Sequence, residues 1–175
     1  MKIGTDTNFP ENLTIPEILK VPDGNVFKFV LFGIGVIDYK FNASDSTWIV
    51  SNGESFYFND PKDISFDPNS IVATLLGGSV DQSGKDLKGV VKSAIPGDNS
   101  LIANKTIAVD FHPKLKTIRG TLGQVETHEG TSFSDITYIQ SIFSGKEQDP
   151  PAGSHPDGYI CRIPTATTHL YYKSQ

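Results

Sequence analysis

Val26-Phe27-Lys28-Phe29-Val30-Leu31-Phe32 leads through Gly33 and Gly35 into Ile37-Asp38-Tyr39-Lys40-Phe41. The first run is dense in β-branched and aromatic side chains, which fit a pleated, half-buried surface. In the second, apolar Ile37, Tyr39 and Phe41 alternate with polar Asp38 and Lys40, the period of a strand with one face in a core. Gly33 and Gly35 mark either a bulge or a close approach of neighbouring backbone.

Working outward, the same texture continues. Trp48-Ile49-Val50 and Phe56-Tyr57-Phe58 flank Asn52-Gly53, which reads as a hairpin turn between two strands. Asp60-Pro61 and Asp67-Pro68 break the chain. Strand runs follow at Ile71–Leu76, Gly89–Ala94, Thr106–Phe111 and Thr117–Thr127, and Gly77-Gly78 and Gly120–Gly123 read as bulges or turns. Ser132–Phe143 is apolar on both alternating sets, which places it in mid-sheet or between two layers. A Pro/Gly loop over Ser144–Gly158 precedes two last runs, Tyr159–Ile163 and Thr167–Tyr172. About ten strands without a long amphipathic helix predict an all-β fold, an antiparallel β-sandwich or barrel with little helix. Residues 1–20 form an N-terminal arm with at most one helical turn, because Pro10 and Pro16 keep it short. Residues 21–175 form a single β domain, the size of one ordinary core.

Charge narrows the partners. Twenty acidic residues against 15 basic ones give a formal net charge of −5. The densest basic set, Lys85, Lys88 and Lys92, is interrupted by Asp86, so no concentrated phosphate-binding surface is expected and no nucleic-acid partner. No apolar run reaches 18 residues, so no membrane insertion is expected. The opening Met1-Lys2-Ile3-Gly4 lacks the apolar centre of a signal peptide, which fits either a cytosolic chain or a mature secretory form with an added methionine. Three sequons, at Asn12, Asn42 and Asn104, point toward a secretory route as glycosylation candidates.

Residues that carry chemistry are scattered. His112, His128, His155 and His169 show no metal-ligand spacing, and Glu126 with His128 supplies only two ligands on one strand face. No metal or cofactor is expected, and no catalytic residue is assigned. A serine meeting a distant histidine in space stays open, and an enzymatic reading requires His128, Glu126, Asp110 and Asp135 to converge. Trp48, Tyr57, Tyr171 and Tyr172 serve either as core or as an exposed sugar-binding platform. The lone Cys161 is either a buried thiol or an intermolecular disulfide.

Val21-Pro22-Asp23-Gly24-Asn25, the segment ending Tyr39-Lys40-Phe41 and then Trp48, together with Thr137-Tyr138-Ile139-Gln140, Pro150-Pro151-Ala152-Gly153, Cys161 and Tyr171-Tyr172, carry a resemblance. They are similar to a domain-of-unknown-function family of secreted bacterial and fungal proteins, some mislabelled malate dehydrogenase. Its members include a zygomycete protein of the vacuolar crystals used in gravity sensing. Many members carry a second cysteine near the Tyr39–Phe41 segment; this chain has none there, which leaves Cys161 without an internal partner. The resemblance implies a non-enzymatic, self-assembling structural protein, vacuolar or secreted, whose partner is itself. A sequence pI near 5.3 suits association at acidic pH. Protonating all four histidines would take the charge from −5 to −5 + 4 = −1. The alternative is a secreted carbohydrate- or protein-binding module.

Overall fold

A computed structural model describes residues 1–64, 67–79, 86–114, 117–145 and 149–175. Of the readings above, Lys85 and part of the Ser144–Gly158 loop lie outside the described residues. Eight strands form one closed antiparallel barrel in sequence order: β1 (Asn25–Asn42), β2 (Thr47–Phe58), β3 (Ala73–Ser79), β4 (Leu87–Ser93), β5 (Leu101–Phe111), β6 (Ile118–Glu129), β7 (Ile136–Phe143) and β8 (Ile160–Ser174), which closes on β1. The fold is all-β as expected, and of the two architectures considered it is the barrel.

The strand count falls because three pairs of runs merge. Gly33 and Gly35 lie inside β1, where Gly33 faces the Tyr57 ring and Thr167. The bulges fall elsewhere, between Asp38 and Tyr39 against β2 and between Phe27 and Phe29 against β8. Asn52-Gly53 is no turn: β2 runs through it, with Asp38 opposite Asn52 and Ile37 opposite Gly53. The chain reverses instead over residues 43–46, where Ser46 adopts φ 57°. Pro164 sits within β8 opposite Val36. Gly77-Gly78 likewise stays inside β3, and Gly120–Gly123 inside β6, where bulges do occur: the register with β5 shifts between Thr106 and Ala108, opposite Gly123 and Leu122, and between Asp110 and Phe111, opposite Gly120 and Ile118.

The interior is packed at both ends. One end holds Phe29, Leu31, Tyr57, Phe133 and Tyr171, closed by Ile3 from the N-terminal segment. Phe29 stacks on Tyr171 with centroids 4.6 Å apart, a geometry that adds to simple burial. The other end holds Ile37, Tyr39, Phe41, Trp48 and Ile163. Trp48, Tyr57 and Tyr171 are therefore core, which removes three of the four residues of the sugar-platform reading.

The outside of the barrel is unevenly covered. The segment before β1 lies over β1 and β5–β8. Asp6 bridges to Val30, Phe9 meets Phe27 edge-on, and Phe27 in turn meets Tyr172. The expected helical turn is the 3-10 turn Glu17–Leu19, with Leu19 fully buried and its carbonyl accepting from Gln140 Nε2 at 2.6 Å. This cover explains why β7 reads as apolar on both faces: Ile139 and Phe143 point inward, while Gln140 and Ile142 face the covering segment. Among the described residues, β2–β4 have no such cover over their central outward residues, and Phe56 and Leu76 are 50% and 63% exposed.

Candidate functional site

Between the two packed ends the barrel is hollow. The cause is a row of missing side chains: Gly53 on β2 pairs with Gly77 on β3, which pairs with Gly89 on β4, which pairs with Asn104 on β5. An eight-stranded barrel is just wide enough for side chains to fill, so three glycines in one layer leave a space. Its volume is about 110 Å³. Gly123 on β6 belongs to the same design, since a Cβ there would overlap Asn104 Oδ1.

The opposite wall carries a hydroxyl network around His169. Ser141 Oγ lies 2.8 Å from Nδ1, while Tyr57 Oη and Thr167 Oγ1 lie 3.0 and 2.9 Å from Nε2. Both ring nitrogens are partnered in either tautomer. Complete burial disfavours the imidazolium and depresses the His169 pKa to about 3. Burial likewise drives the Tyr57 and Tyr171 phenols upward. Spatial pairing of a serine with a histidine does occur here, but the ring's partners are three hydroxyls, and no carboxylate touches it among the described residues. A neutral imidazole of such low basicity holds hydrogen bonds rather than protons.

Among the described residues, Tyr171 Oη is buried without a hydrogen bond. Asn104 is 8% exposed and lines the hollow.

The residues singled out in the sequence fall in different places. Glu126 lies 3.7 Å from Lys88, and Asp135 lies 2.5 Å from Lys28, which holds its carboxyl below the usual range. Neither they nor Asp110 and His128 line the hollow. No group of three or more His, Cys, Asp or Glu side chains is placed to hold a metal among the described residues. Cys161 is half-buried, packed against the Ile37–Ile163 end of the core, and burial raises its pKa, with Asp38 adding to the effect. Of the sequons, Asn12 is exposed and Asn42 half-buried, but Asn104 points into the barrel. The folded chain has no room for a glycan there, so that candidate is withdrawn. The histidine count is also corrected. His169 does not protonate near pH 5, so at most three histidines add charge: −5 + 3 = −2.

On the outer surface, cross-strand register assembles an apolar stripe. Ile34, Phe56, Thr74 and Lys92 form one row; Val36, Glu54, Leu76, Val90 and Ala103 form the next. Phe56, Leu76 and Val90 are exposed at its centre. Glu54 lies on the β2 side, and Lys88 and Lys92 on the β4 side.

No family model, curated protein or solved structure matches this chain.

Proposed function

We propose that this protein is a non-catalytic structural barrel that associates with further copies of itself through the outer face of β2–β4. The observation that carries the reading is the exposed stripe of Phe56, Leu76 and Val90. Contiguous exposed apolar surface rimmed by polar groups marks association sites. A closed barrel has no free strand edge to pair with another chain, so copies must meet face to face.

The stripe suits a two-fold copy. Glu54 on one side and Lys88 and Lys92 on the other exchange places under a two-fold rotation, so the acid of each copy meets the bases of its partner. Tyr159 and Ile160, 45% and 49% exposed at the start of β8, supply a second apolar patch on a different wall. Two non-equivalent patches let dimers extend into larger ordered arrays instead of closing. Acid favours this by cutting the net charge toward −2, which suits an acidic vacuole or a secretory compartment. The inward packing and raised pKa of Cys161 disfavour the thiolate that disulfide formation requires, so the association is noncovalent.

Light scattering at pH 5 and pH 7.5, with and without reductant, tests the proposal. The expected result is a mass above the monomer that grows at pH 5, ignores reductant, and returns to the monomer in Leu76→Asp. A monomer under all four conditions contradicts it.

A further inference from the structure

The hollow of the barrel is independent of the outer stripe and points to a second activity. We propose that it is a binding site for one small neutral ring bearing a single hydrogen-bonding group, of which phenol is the simplest example.

Size comes first. A volume of about 110 Å³ exceeds what one water requires and approaches the ~150 Å³ of an apolar cavity that admits benzene. Gly78 and the half-exposed Lys88 line it along with the interior residues.

Polarity sets the ligand class. Ile37, Leu75 and Ile139 give apolar contact, and the three paired glycines give flat backbone against which a planar ring can lie. Across the space, Ser141 and His169 are already committed to each other. Asn104 is the amide among the remaining polar lining groups, which also include the hydroxyls of Ser55, Thr106, Thr121 and Thr165, and a phenolic hydroxyl satisfies the amide by donating to Oδ1 or accepting from Nδ2. A charged ligand is disfavoured, because the imidazole is neutral and, among the described residues, the one lining cation, Lys88, lies 3.7 Å from Glu126. Without a buried counter-charge, an ion would lose its hydration uncompensated.

None of Gly53, Gly77 and Gly89 has a positive φ. A Cβ at Gly77 would come within 3.1 Å of the Lys88 carbonyl oxygen and one at Gly89 within 3.3 Å of Asn104 Nδ2, whereas at Gly53 a Cβ would have no neighbour nearer than 3.8 Å. At Gly53 a side chain fits and yet none is present, and space is the feature that this glycine provides.

The test is a titration of the full chain with phenol and with toluene, followed by amide chemical shifts, in the wild type, Asn104→Leu and Gly53→Val. Expected are saturable shifts for both ligands centred on Ile139 and Gly89. Asn104→Leu should weaken phenol about tenfold, the scale of one lost hydrogen bond, while leaving toluene unchanged. Gly53→Val should lose both ligands with the spectrum still dispersed. If Gly53→Val does not fold, Gly53→Ala takes its place and should weaken both. No saturable binding by the wild type, binding that survives filling at Gly53, or equal effects of Asn104→Leu on both ligands would each overturn the proposal.

Discussion

Two halves of the same barrel wall are built differently. In β7, β8 and β1, both surfaces are occupied: the inner one by Tyr171, Phe29 and the His169 network, the outer one by the N-terminal segment with Leu19, Phe9 and Asp6. In β2, β3 and β4, both surfaces are partly bare. Glycines at 53, 77 and 89 leave the inside hollow, and Phe56, Leu76 and Val90 stand exposed outside. Burial of apolar area is the main source of stability, so the first half holds the fold together. The second half contributes less to the fold and carries the hollow and the exposed apolar stripe.

Truncating a leucine in each half breaks the comparison most directly. Leu19→Ala removes a fully buried side chain and should cost about 2–5 kcal/mol of unfolding free energy. Leu76→Ala should cost no more than about 0.5 kcal/mol, as exposed positions do. Urea denaturation of the two variants at pH 7.5, at protein concentrations where both are monomeric, gives both numbers.

Acid acts on the well-filled half through His169. Its folded pKa, about 3, lies below the ordinary 6.5, so the unfolded chain binds the proton first. The contribution is complete above pH 6.5 and is lost as pH falls toward 3. The expected slope is about 1.4 kcal/mol per pH unit in that window, or roughly 2 kcal/mol by pH 5. Asp98 acts in a lower window: hydrogen bonds from Ser100 and Ser132 hold its pKa at about 2, so its contribution fades only below pH 4. Urea midpoints measured every half unit should show the upper slope in the wild type and lose it in His169→Gln. If the proposed association holds, assembly should decline at low pH as the loss of the His169 contribution weakens the fold.

Glycines sharpen the contrast at smaller scale. Gly33→Ala would place its Cβ 2.6 Å from Thr167 Oγ1 and 2.7 Å from the Tyr57 ring, an overpacking worth about 1–3 kcal/mol. Gly53→Ala meets open space and should stabilise by about 0.5–1 kcal/mol, the usual penalty of glycine within a strand. Thermal melts of the two variants should move in opposite directions.

These same glycines show what the sequence made legible. Strand material was readable nearly everywhere, because alternation such as Ile37-Asp38-Tyr39 reports local burial. The ambiguity lay in glycine itself, which serves equally for a turn and for a missing side chain. Asn52-Gly53 carries the strongest short hairpin signal in the chain, yet β2 passes through it because the interior needs space there. Pro164 also lies inside a strand, outward on β8, where a proline is tolerated because its absent N–H is not required. The site was less visible still. His169 gains meaning only from Tyr57, Ser141 and Thr167, residues of three strands that register alone brings together. Asn104 carried a sequon, a local pattern that gives no sign of which way the side chain points. Three glycines at 53, 77 and 89 become one row only once the pairing of β2, β3 and β4 is known.

The central claim is that association runs through the sparsely covered half. Amide chemical shifts recorded while the protein is diluted from about millimolar to micromolar at pH 5.5 test it most directly. The account predicts concentration-dependent shifts at Phe56, Leu76 and Val90, with β7 and the covered part of β8 silent. Shifts confined to β7 and β8, or none at any concentration, would contradict it.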